Sequence, residues 1–466
     1  MLDCVGVYMV FPVEKKEFSV NVVRRKNLVS AIKEQFPGAD GVIVVLAGFE
    51  LECKEFHQES SFYYLTGIDE PGVVLVIDLQ DKSTLYVPNF GDTRLKWIAP
   101  SIHLTQENAK HLGMDEVKPL GAVGAGYQIY PFFPQEQYAD LLKLLGHVVE
   151  QKKSVFTLCP NNASQYIEQR FVLGRLQEFV PGLSNSLIDI SPIVAQQRRI
   201  KDTREIEHLY TAVEITAMAQ EAAARSIAHD VGECEVKASL EYIFTAAGGS
   251  PSFASIVASG KNSTVLHHRV QGAIMKTGDL VVVDIGALYN HYCADITRTY
   301  PVSGTFTKRQ REVYNLVLET QEYIAGIAKP GYWLNNAEFP DKSLNHLAHA
   351  YLDKKGYGQY FIHGVGHYLG LDVHDVGDYK APLQEGDVFT IEPGIYIVAE
   401  SLGVRIEDDY WVVKDGVVCL SELLPKKAED IEAMMQQIDT DEESEDEEFF
   451  DDESEFNDDD EDISQA

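Results

Sequence analysis

The sequence has no paired cysteines, no basic cluster and no long apolar run, and each absence excludes a class of protein. Its six cysteines are scattered without a C-x-x-C pair. This pattern argues against a disulfide framework or a zinc–thiolate site and favours reduced thiols. No Lys/Arg cluster indicates binding to nucleic acid or to a membrane surface. No stretch reaches the roughly 18 apolar residues that a membrane span needs.

The N-terminal segment, MLDCVGVYMVFPVEKKEF, has an apolar stretch but lacks the basic start of a secretory signal peptide and carries Asp3. We therefore expect a cytoplasmic protein that binds neither nucleic acid nor membrane.

Half of the net charge of −34 lies in one segment, because Asp439 to Asp462 contains 17 acidic residues and no basic one. Such a segment cannot bury enough apolar surface to offset its chain entropy. We expect residues 438–466 to form a disordered, solvated tail. A docking tail for a basic protein is the alternative. An EF-hand loop fits poorly, since the segment has no glycine for the sharp turn.

A chain of 466 residues is long enough for two domains and a tail. The β-rich segments 41–48, 73–79 and 83–89 predict an N-terminal α/β domain over residues 1–190. A long amphipathic helix follows Ser191-Pro192, with Asp202 or Thr203 as its cap. The second domain, residues 195–435, contains nearly all the residues that suggest chemistry.

Asp284 and Asp295 lie eleven residues apart in VVVDIGALYNHYCADITRTY. The β-rich segments around a polar tip at Tyr289-Asn290 predict a hairpin. A two-residue turn at this tip would put the two aspartates directly opposite each other, with Cβ atoms roughly 4.5–5.5 Å apart. Two ionised carboxylates would repel there unless a cation lies between them or they share a proton. The alternative places one aspartate in the ladder and the other in a loop.

Three histidines lie in HGVGHYLGLDVHDVG, at His363, His367 and His374. The glycines of this segment predict a loop or short strand where the backbone closely approaches another group. The zinc-protease helix motif H-E-x-x-H is absent, because Gly364 stands at the position of its glutamate.

Two further strands carry carboxylates. Glu392 ends a strand that Pro393-Gly394 stops, and strand alternation in GVRIEDDYWVV puts Arg405, Glu407 and Asp409 on one face. Each acidic residue alone has an ordinary explanation as the partner of an arginine. Four carboxylates and one histidine together would make the interior too negative, since buried charges must be paired or bind metals. This oxygen-rich set suits Mn²⁺, Fe²⁺ or Co²⁺ better than a structural zinc.

An ordered set of five residues resembles the ligands of the pita-bread metallopeptidases, most closely in the Xaa-Pro aminopeptidase and prolidase branch. In the contexts DIG, DITRTYPVSG, HGVGHYLGLDVHD, IEPGIY and VRIEDD, these residues are Asp284, Asp295, His367, Glu392 and Glu407. The resemblance covers about 198–425 and includes SGKNSTVLHH around His267. A weaker resemblance at 62–78, FYYLTGIDEPGVVLVID, is to the N-terminal domain of the same branch.

The resemblance implies a pseudo-symmetric α+β catalytic domain that holds two divalent ions, usually Mn²⁺, with Co²⁺, Fe²⁺ or Zn²⁺ as alternatives. Asp284 would bind one ion, His367 and Glu392 the other, and Asp295 with Glu407 would bridge both. The implied reaction is hydrolysis of the bond before a proline in the second position of a peptide. A hydroxide held between the ions would attack, and Glu392 would relay its proton.

The resemblance also implies roles for residues beside the metals. His374 would stabilise the oxyanion, and His363 and His267 would position the proline side of the substrate. Tyr396 and Arg405 match a hydrogen-bond relay, although Arg405 has an equally good role as a neutraliser of the carboxylates. A homodimer or homotetramer is implied as well.

Alternatives to an Xaa-Pro aminopeptidase stay open. HDVGDYKAPLQEGD lacks the arginine that prolidases place after the third histidine, which disfavours an Xaa-Pro dipeptidase. A methionine aminopeptidase or creatinase-like hydrolase would use the same scaffold. A non-catalytic pita-bread module with an acidic tail for a basic partner is disfavoured, because all five ligands are present.

Overall fold

The structure is a computed structural model that describes residues 18–50, 55–91, 96, 102–124, 134–160 and 166–436. The acidic tail predicted at 438–466 lies outside these residues. Within them, no helix combines the length and apolarity needed to cross a membrane. The cysteines in the described ranges are all free thiols.

The N-terminal part of the chain forms a six-stranded mixed sheet with helices around it. Its strands lie in the order β4-β3-β2-β1-β5-β6, with β1–β2 and β2–β3 antiparallel and the other pairs parallel. The elements are α1 (Ser19–Gln35), β1 (Gly41–Leu46), α2 (Ser60–Thr66), β2 (Val74–Asp78), β3 (Ser83–Val87), α3 (Gln106–His111), β4 (Glu116–Pro119), α4 (Ala139–Glu150), β5 (Ser154–Thr157), α5 (Ile167–Phe179), α6 (Leu183–Ser186), β6 (Leu187–Asp189) and α7 (Ser191–Arg199). The three strands predicted from the sequence correspond to β1, β2 and β3.

The central strand β1 is buried on both faces. Ile43 and Val45 pack into one hydrophobic cluster, and Val44 and Leu46 pack into another. This division follows from the two-residue period of a strand, which points successive side chains to opposite sides. The run GVIVVL is therefore apolar throughout instead of alternating.

The second part of the chain is a mixed α+β unit. Its strands form three three-stranded sheets, β11-β10-β7, β12-β9-β8 and β13-β16-β17, and one two-stranded sheet, β14-β15. The elements are α8 (Thr203–Ser226), α9 (Glu233–Ala246), β7 (Ser250–Pro251), β8 (Ile256–Ser259), β9 (Leu280–Ile285), β10 (Ala287–Tyr289), β11 (Tyr292–Cys293), β12 (Ile296–Pro301), α10 (Lys308–Ile327), α11 (Leu344–Lys354), β13 (Val388–Ile391), β14 (Gly394–Ile397), β15 (Leu402–Arg405), β16 (Asp408–Val413), β17 (Gly416–Cys419) and α12 (Ala428–Gln436).

Helix α8 begins where the sequence predicts a cap. The side chain of Asp202 accepts hydrogen bonds from the backbone N–H groups of Arg204 and Glu205, and Glu205 reciprocates at the Asp202 N–H. This reciprocal arrangement is a capping box. The following helix packs into a hydrophobic cluster that also contains Leu28 and Ile43 of the N-terminal part. The apolar core is thus continuous across the segment where the sequence predicts a domain junction.

The second part is built from two halves that repeat one arrangement. In the first half, the Gln220 side chain on α8 donates hydrogen bonds to the carbonyls of Val283 and Ile296. In the second half, Gln321 on α10 donates to the carbonyls of Ile391 and Ile406. Each glutamine side chain thereby connects two β-segments to the long helix that carries it. The pseudo-symmetric fold predicted from the family resemblance is confirmed.

The hairpin register differs from the prediction. Tyr289 pairs with Tyr292, so the turn consists of Asn290 and His291 instead of Tyr289 and Asn290. Both turn residues have positive φ, 47° and 69°, which fits the two-residue turn that matches strand twist. Asp284 consequently pairs with Thr297, and the predicted direct pairing with Asp295 is wrong. Asp284 lies in the ladder on β9, whereas Asp295 lies between β11 and β12 in neither strand, as in the alternative that the sequence left open.

Candidate metal centre

A cavity of about 990 Å³ lies in the second part of the chain. Nine of the ten candidate residues from the sequence line it, namely His267, Asp284, Asp295, His363, His367, His374, Glu392, Arg405 and Glu407. The tenth, Tyr396, contacts two of them, because its hydroxyl lies 2.9 Å from both His363 Nε2 and Arg405 Nη1.

The carboxylates reach the cavity from the strand ends of both halves. Asp284 is on β9, Asp295 precedes β12, Glu392 follows β13 and Glu407 precedes β16. The carbonyls that accept from the two buried glutamines belong to residues next to these four carboxylates in the chain. The helices α8 and α10 therefore fix the backbone that carries the acidic groups.

Asp295, His367 and Glu407 each offer one ligand atom, and these atoms lie within 4.8 Å of one another. Nε2 of His367 is 3.3 Å from Asp295 Oδ2 and 4.0 Å from Glu407 Oε1. It also lies 3.6 Å from Glu392 Oε1. One imidazole therefore faces three carboxylates from both halves of the unit.

The cluster contains more negative charge than the neighbouring cations can balance. Burial raises the pKa of Asp295 well above its usual range, and the charges of Asp284 and Asp409 raise it further. Burial and the charge of Asp295 likewise raise the pKa of Glu407 well above its usual range. Burial also raises the pKa of Glu392. Among the described residues, Arg405 is the only arginine or lysine that forms an ion pair with a carboxylate of this cluster.

Carboxylate oxygens without hydrogen-bond partners are a second sign that the cluster lacks positive charge. Among the described residues, Oδ1 of Asp284, Asp295 and Asp409 is buried without a hydrogen-bond partner. Buried polar atoms are normally satisfied, and an unpaired buried anion is costly. An oxygen-rich donor set with one imidazole fits hard or borderline divalent cations. The residues present therefore fit a divalent metal site.

Arg405 connects the carboxylates to a chain of hydrogen bonds. Its Nη2 donates to Asp284 Oδ2 at 2.6 Å, and its Nη1 donates to the Tyr396 hydroxyl. Burial and the charge of Arg405 lower the pKa of His363 to about 3, so this imidazole is neutral near neutral pH. Its Nδ1 lies 2.8 Å from the Gly364 carbonyl, which assigns the proton to Nδ1. The Tyr396 hydroxyl then donates to His363 Nε2.

His374 stands beside the cluster without joining it. The ring centroids of His367 and His374 are 4.2 Å apart. Burial, followed by the charge of His367, lowers the pKa of His374. His267 lines the cavity from the segment between β8 and β9. The three-histidine segment is a loop as predicted, and an added Cβ at Gly366 would lie 1.9 Å from the Thr390 carbonyl oxygen. Gly364 has no such close contact, so the expectation of close approach fails there.

Sequence reasoning missed Thr297, Gln220 and Gln321 as parts of this centre, and it gave Asp409 no role there beyond a shared strand face with Glu407. Thr297 donates to Glu407 Oε2 at 2.6 Å and accepts from Arg405 Nε at 3.1 Å. Asp409 Oδ2 accepts from the Asp295 N–H at 3.2 Å. Strand alternation correctly pointed to Asp409 as a neighbour of the site, although it is not a residue that lines the cavity. The correct hairpin register would have revealed Thr297, because it pairs with Asp284.

Comparison with known proteins agrees with this geometry. Residues 207–414 match the model of metallopeptidase family M24, and residues 22–127 match the aminopeptidase P N-terminal domain. The Xaa-Pro aminopeptidase of Escherichia coli K12 is 32% identical over 409 residues, which cover 82% of this chain and 89% of the relative. The Xaa-Pro dipeptidase of Pyrococcus furiosus is 41% identical over 232 residues, or 49% of this chain and 64% of the relative.

A solved structure of an Escherichia coli aminopeptidase P variant in complex with substrate has a TM-score of 0.76. It is 28% identical and covers 92% of this chain and all of the other chain. Fold and cavity together define a pita-bread metallohydrolase. The chain belongs to metallopeptidase family M24, with an aminopeptidase P type N-terminal domain. The predictions of fold class, family and metallopeptidase class are confirmed.

Proposed function

We propose that this protein is an Xaa-Pro aminopeptidase that removes the N-terminal residue from peptides with proline in the second position. The observation that carries the proposal is the cluster of carboxylates with too few cations in a cavity of about 990 Å³. The similarity to Xaa-Pro aminopeptidases over most of the chain supports the substrate class. A dedicated site suits this bond, because proline has no N–H and its ring fixes φ.

Two divalent ions, with Mn²⁺ as the favoured metal, would be held by Asp284, Asp295, His367, Glu392 and Glu407. When bound, such ions lower the pKa of water and stabilise negative charge on a carbonyl oxygen. The remaining chemistry belongs to protein side chains. Because the pKa of Glu392 is raised by burial, its carboxyl group is suited to accept and return a proton.

Three histidines, His267, His363 and His374, line the cavity on the proposed substrate side. His363 accepts from Tyr396 through Nε2, and its Nδ1 proton points to the Gly364 carbonyl. This leaves an uncharged ring edge suited to contact the apolar proline ring, together with His267. His374 lies beside His367 and can donate a hydrogen bond to an oxyanion that develops at the scissile carbonyl.

Purified protein supplied with Mn²⁺ and a set of Xaa-Pro-Xaa peptides tests the proposal. We expect release of the first residue, with no release from matched peptides that carry alanine in the second position. Parallel assays with Co²⁺, Zn²⁺, Fe²⁺ and Mg²⁺ identify the favoured metal. If no Xaa-Pro peptide loses its N-terminal residue with any of these metals, the proposal is wrong.

An Xaa-Pro dipeptidase is the second candidate, since the Pyrococcus furiosus dipeptidase shares 41% identity over 232 residues. No basic residue between 375 and 387 lines the cavity, so the position that prolidases use to bind a dipeptide's carboxylate offers no cation. We therefore expect higher kcat/KM for tripeptides and longer peptides than for dipeptides. A strong preference for dipeptides would favour the second candidate.

We further infer a homodimer or homotetramer that acts on peptides in the cytoplasm. The family resemblance described under Sequence analysis supports the assembly, and six scattered cysteines without a C-x-x-C pair support a reducing compartment. Sedimentation analysis of the full chain tests the assembly, and fractionation of the source cell tests the location.

A further inference from the structure

The loop that carries His374 is held by ion pairs on both sides of that histidine. Asp372 precedes His374 by two residues and Asp375 follows it directly. Nη2 of Arg198 lies 2.7 Å from Asp372 Oδ2 and 2.5 Å from Asp375 Oδ1. Nζ of Lys201 lies 3.0 Å from Asp375 Oδ2. One guanidinium from the end of α7 therefore joins the two carboxylates that flank the histidine.

The same guanidinium also contacts the N-terminal part of the chain. Nη1 of Arg198 donates to Ser61 Oγ at 2.9 Å, and Ser60 Oγ donates to Asp372 Oδ1 at 2.6 Å. Both serines are in the first turn of α2. The three elements α2, α7 and the 370–376 loop thus form one polar network outside the metal cluster.

The residues on both sides of His374 belong to this network. Within the described residues, no hydrogen bond holds the ring, so its position depends on the backbone on either side and on its contact with the His367 ring, whose centroid is 4.2 Å away. The Asp375 N–H donates to the Tyr368 carbonyl at 2.9 Å. The Asp375 carboxylate fits here because residue 370 is glycine, where an added Cβ would lie 2.1 Å from Asp375 Oδ2.

We propose that Arg198 is a positioning residue for His374, and that it connects the N-terminal domain to the reaction through this loop. The proposal rests on the proposed peptidase activity and on the proposed role of His374. Arg198 and Asp375 have side chains only 2% and 1% exposed, so their charges are poorly screened by water. Without Arg198, Asp372 and Asp375 would lose their shared cation and repel each other across the histidine.

Displacement of a catalytic group by about 1 Å can reduce the rate by roughly 10²-fold. A hydrogen bond to the oxyanion acts in the transition state, so its loss lowers kcat and leaves KM nearly unchanged. A substitution of Arg198 should therefore alter kcat and kcat/KM together. It should not alter the metal content, because Arg198 contacts none of the proposed ligands.

A double-mutant cycle between Arg198→Gln and His374→Ala tests this inference. In wild-type protein we expect Arg198→Gln to lower kcat about tenfold and His374→Ala to lower it by roughly 10²-fold. In the His374→Ala background, Arg198→Gln should lower kcat by less than about twofold, because the ring it positions is gone. A tenfold loss in both backgrounds would overturn the inference.

Arg24→Gln is the matched control, since Arg24 is also buried at this interface and contacts two carboxylates, Asp202 and Glu205, at 2.9 Å each. Neither carboxylate is on the His374 loop. We expect this variant to lower the melting temperature with kcat nearly unchanged, and Arg198→Lys to restore part of the activity. An equal loss of kcat in Arg24→Gln would assign the effect to the interface as a whole and refute the proposal.

If Arg198→Gln does not fold, Asp372→Asn replaces it in the same cycle, since the Asp372 side chain is 47% exposed and tolerates substitution more easily. A smaller loss of kcat is expected, which again should nearly vanish in the His374→Ala background. Failure of this inference is distinguishable from failure of the proposed function, because the latter requires an inactive wild-type protein.

Discussion

Glu407, Asp408 and Asp409 are consecutive in the chain and all buried. They differ in their partners, because among the described residues only Asp408 forms ion pairs with arginine or lysine side chains, those of Arg298 and Lys426. Asp408 accepts from Arg298, Lys426 and Ser421. Although burial opposes it, the charges of Arg298 and Lys426 lower the pKa of Asp408. Burial raises the pKa of Glu407 and Asp409 well above the usual range. Asp408 thus has cationic partners inside the protein, whereas the neighbouring side chains do not balance the negative charge of Glu407 and Asp409.

The sharpest test of this contrast is Asp295→Asn. We expect loss of bound metal and a fall in kcat/KM of roughly 10³-fold, because metal-ion catalysis contributes several kcal/mol to the reaction. In metal-free protein, the same substitution should raise the melting temperature, since it removes one of the repelling charges. Elemental analysis, peptide hydrolysis and thermal unfolding measure the three effects. Retention of full metal content would contradict the ligand assignment.

Asp408→Asn should give the opposite pattern. The substitution leaves the Arg298 guanidinium buried without its ion-pair partner, which costs about 3–5 kcal/mol of unfolding free energy. Denaturant unfolding of the metal-free protein measures this loss. The amount of metal bound per folded molecule should be unchanged. If Asp408→Asn lost as much metal affinity as Asp295→Asn, the distinction between the internally paired Asp408 and the proposed metal ligand Asp295 would not hold.

Removal of metal by a chelator should lower the stability of the wild-type protein. A ligand present at 100 times its dissociation constant stabilises the folded state by about 2.7 kcal/mol, and re-addition of Mn²⁺ should restore this amount. Thermal unfolding at several Mn²⁺ concentrations measures the effect. The dependence should persist in Asp408→Asn and disappear in Asp295→Asn. Identical melting curves with and without metal would show that these carboxylates need no cation.

Glu205 lies between the two extremes, because it is buried but contacts Arg24 at 2.9 Å. Burial raises its pKa from 4.5 to about 7, and Arg24 only partly opposes the rise. A raised folded-state pKa contributes stability that is full below about pH 4.5 and lost as the pH rises through about 7. The unfolding free energy of wild type should therefore fall by on the order of 2–3 kcal/mol relative to that of Glu205→Gln between about pH 5 and pH 8. A pH-independent difference in urea unfolding would argue against this.

Much of the fold and of the site followed from local sequence patterns. The β-rich runs predicted β1, β2 and β3, and the Asp202 cap predicted the start of α8. The candidate ligands converge on one cavity. These features were accessible because strand propensity, helix capping and the short contexts around each ligand are all encoded within a few neighbouring residues.

The features that were missed depend on tertiary contacts. Asn290 tolerates positive φ and could occupy either turn position, so local sequence did not decide between Tyr289-Asn290 and Asn290-His291. Thr297 and Glu407 are 110 residues apart in the chain, and Arg198 and Asp375 are 177 residues apart. No periodicity links partners at such separation. The buried glutamines likewise lie on helices whose contacts with the strand carbonyls only the packed fold reveals.

The strands on either side of the Asn290-His291 turn constrain how this hairpin can change length. Side chains alternate along a strand, so adding or removing one residue within a strand would turn Asp295 away from the cavity. Changes of two residues would keep it on the cavity face. Insertions or deletions within these strands should therefore come in even numbers of residues wherever hydrolysis is retained, whereas the length of the turn itself is not bound by this alternation.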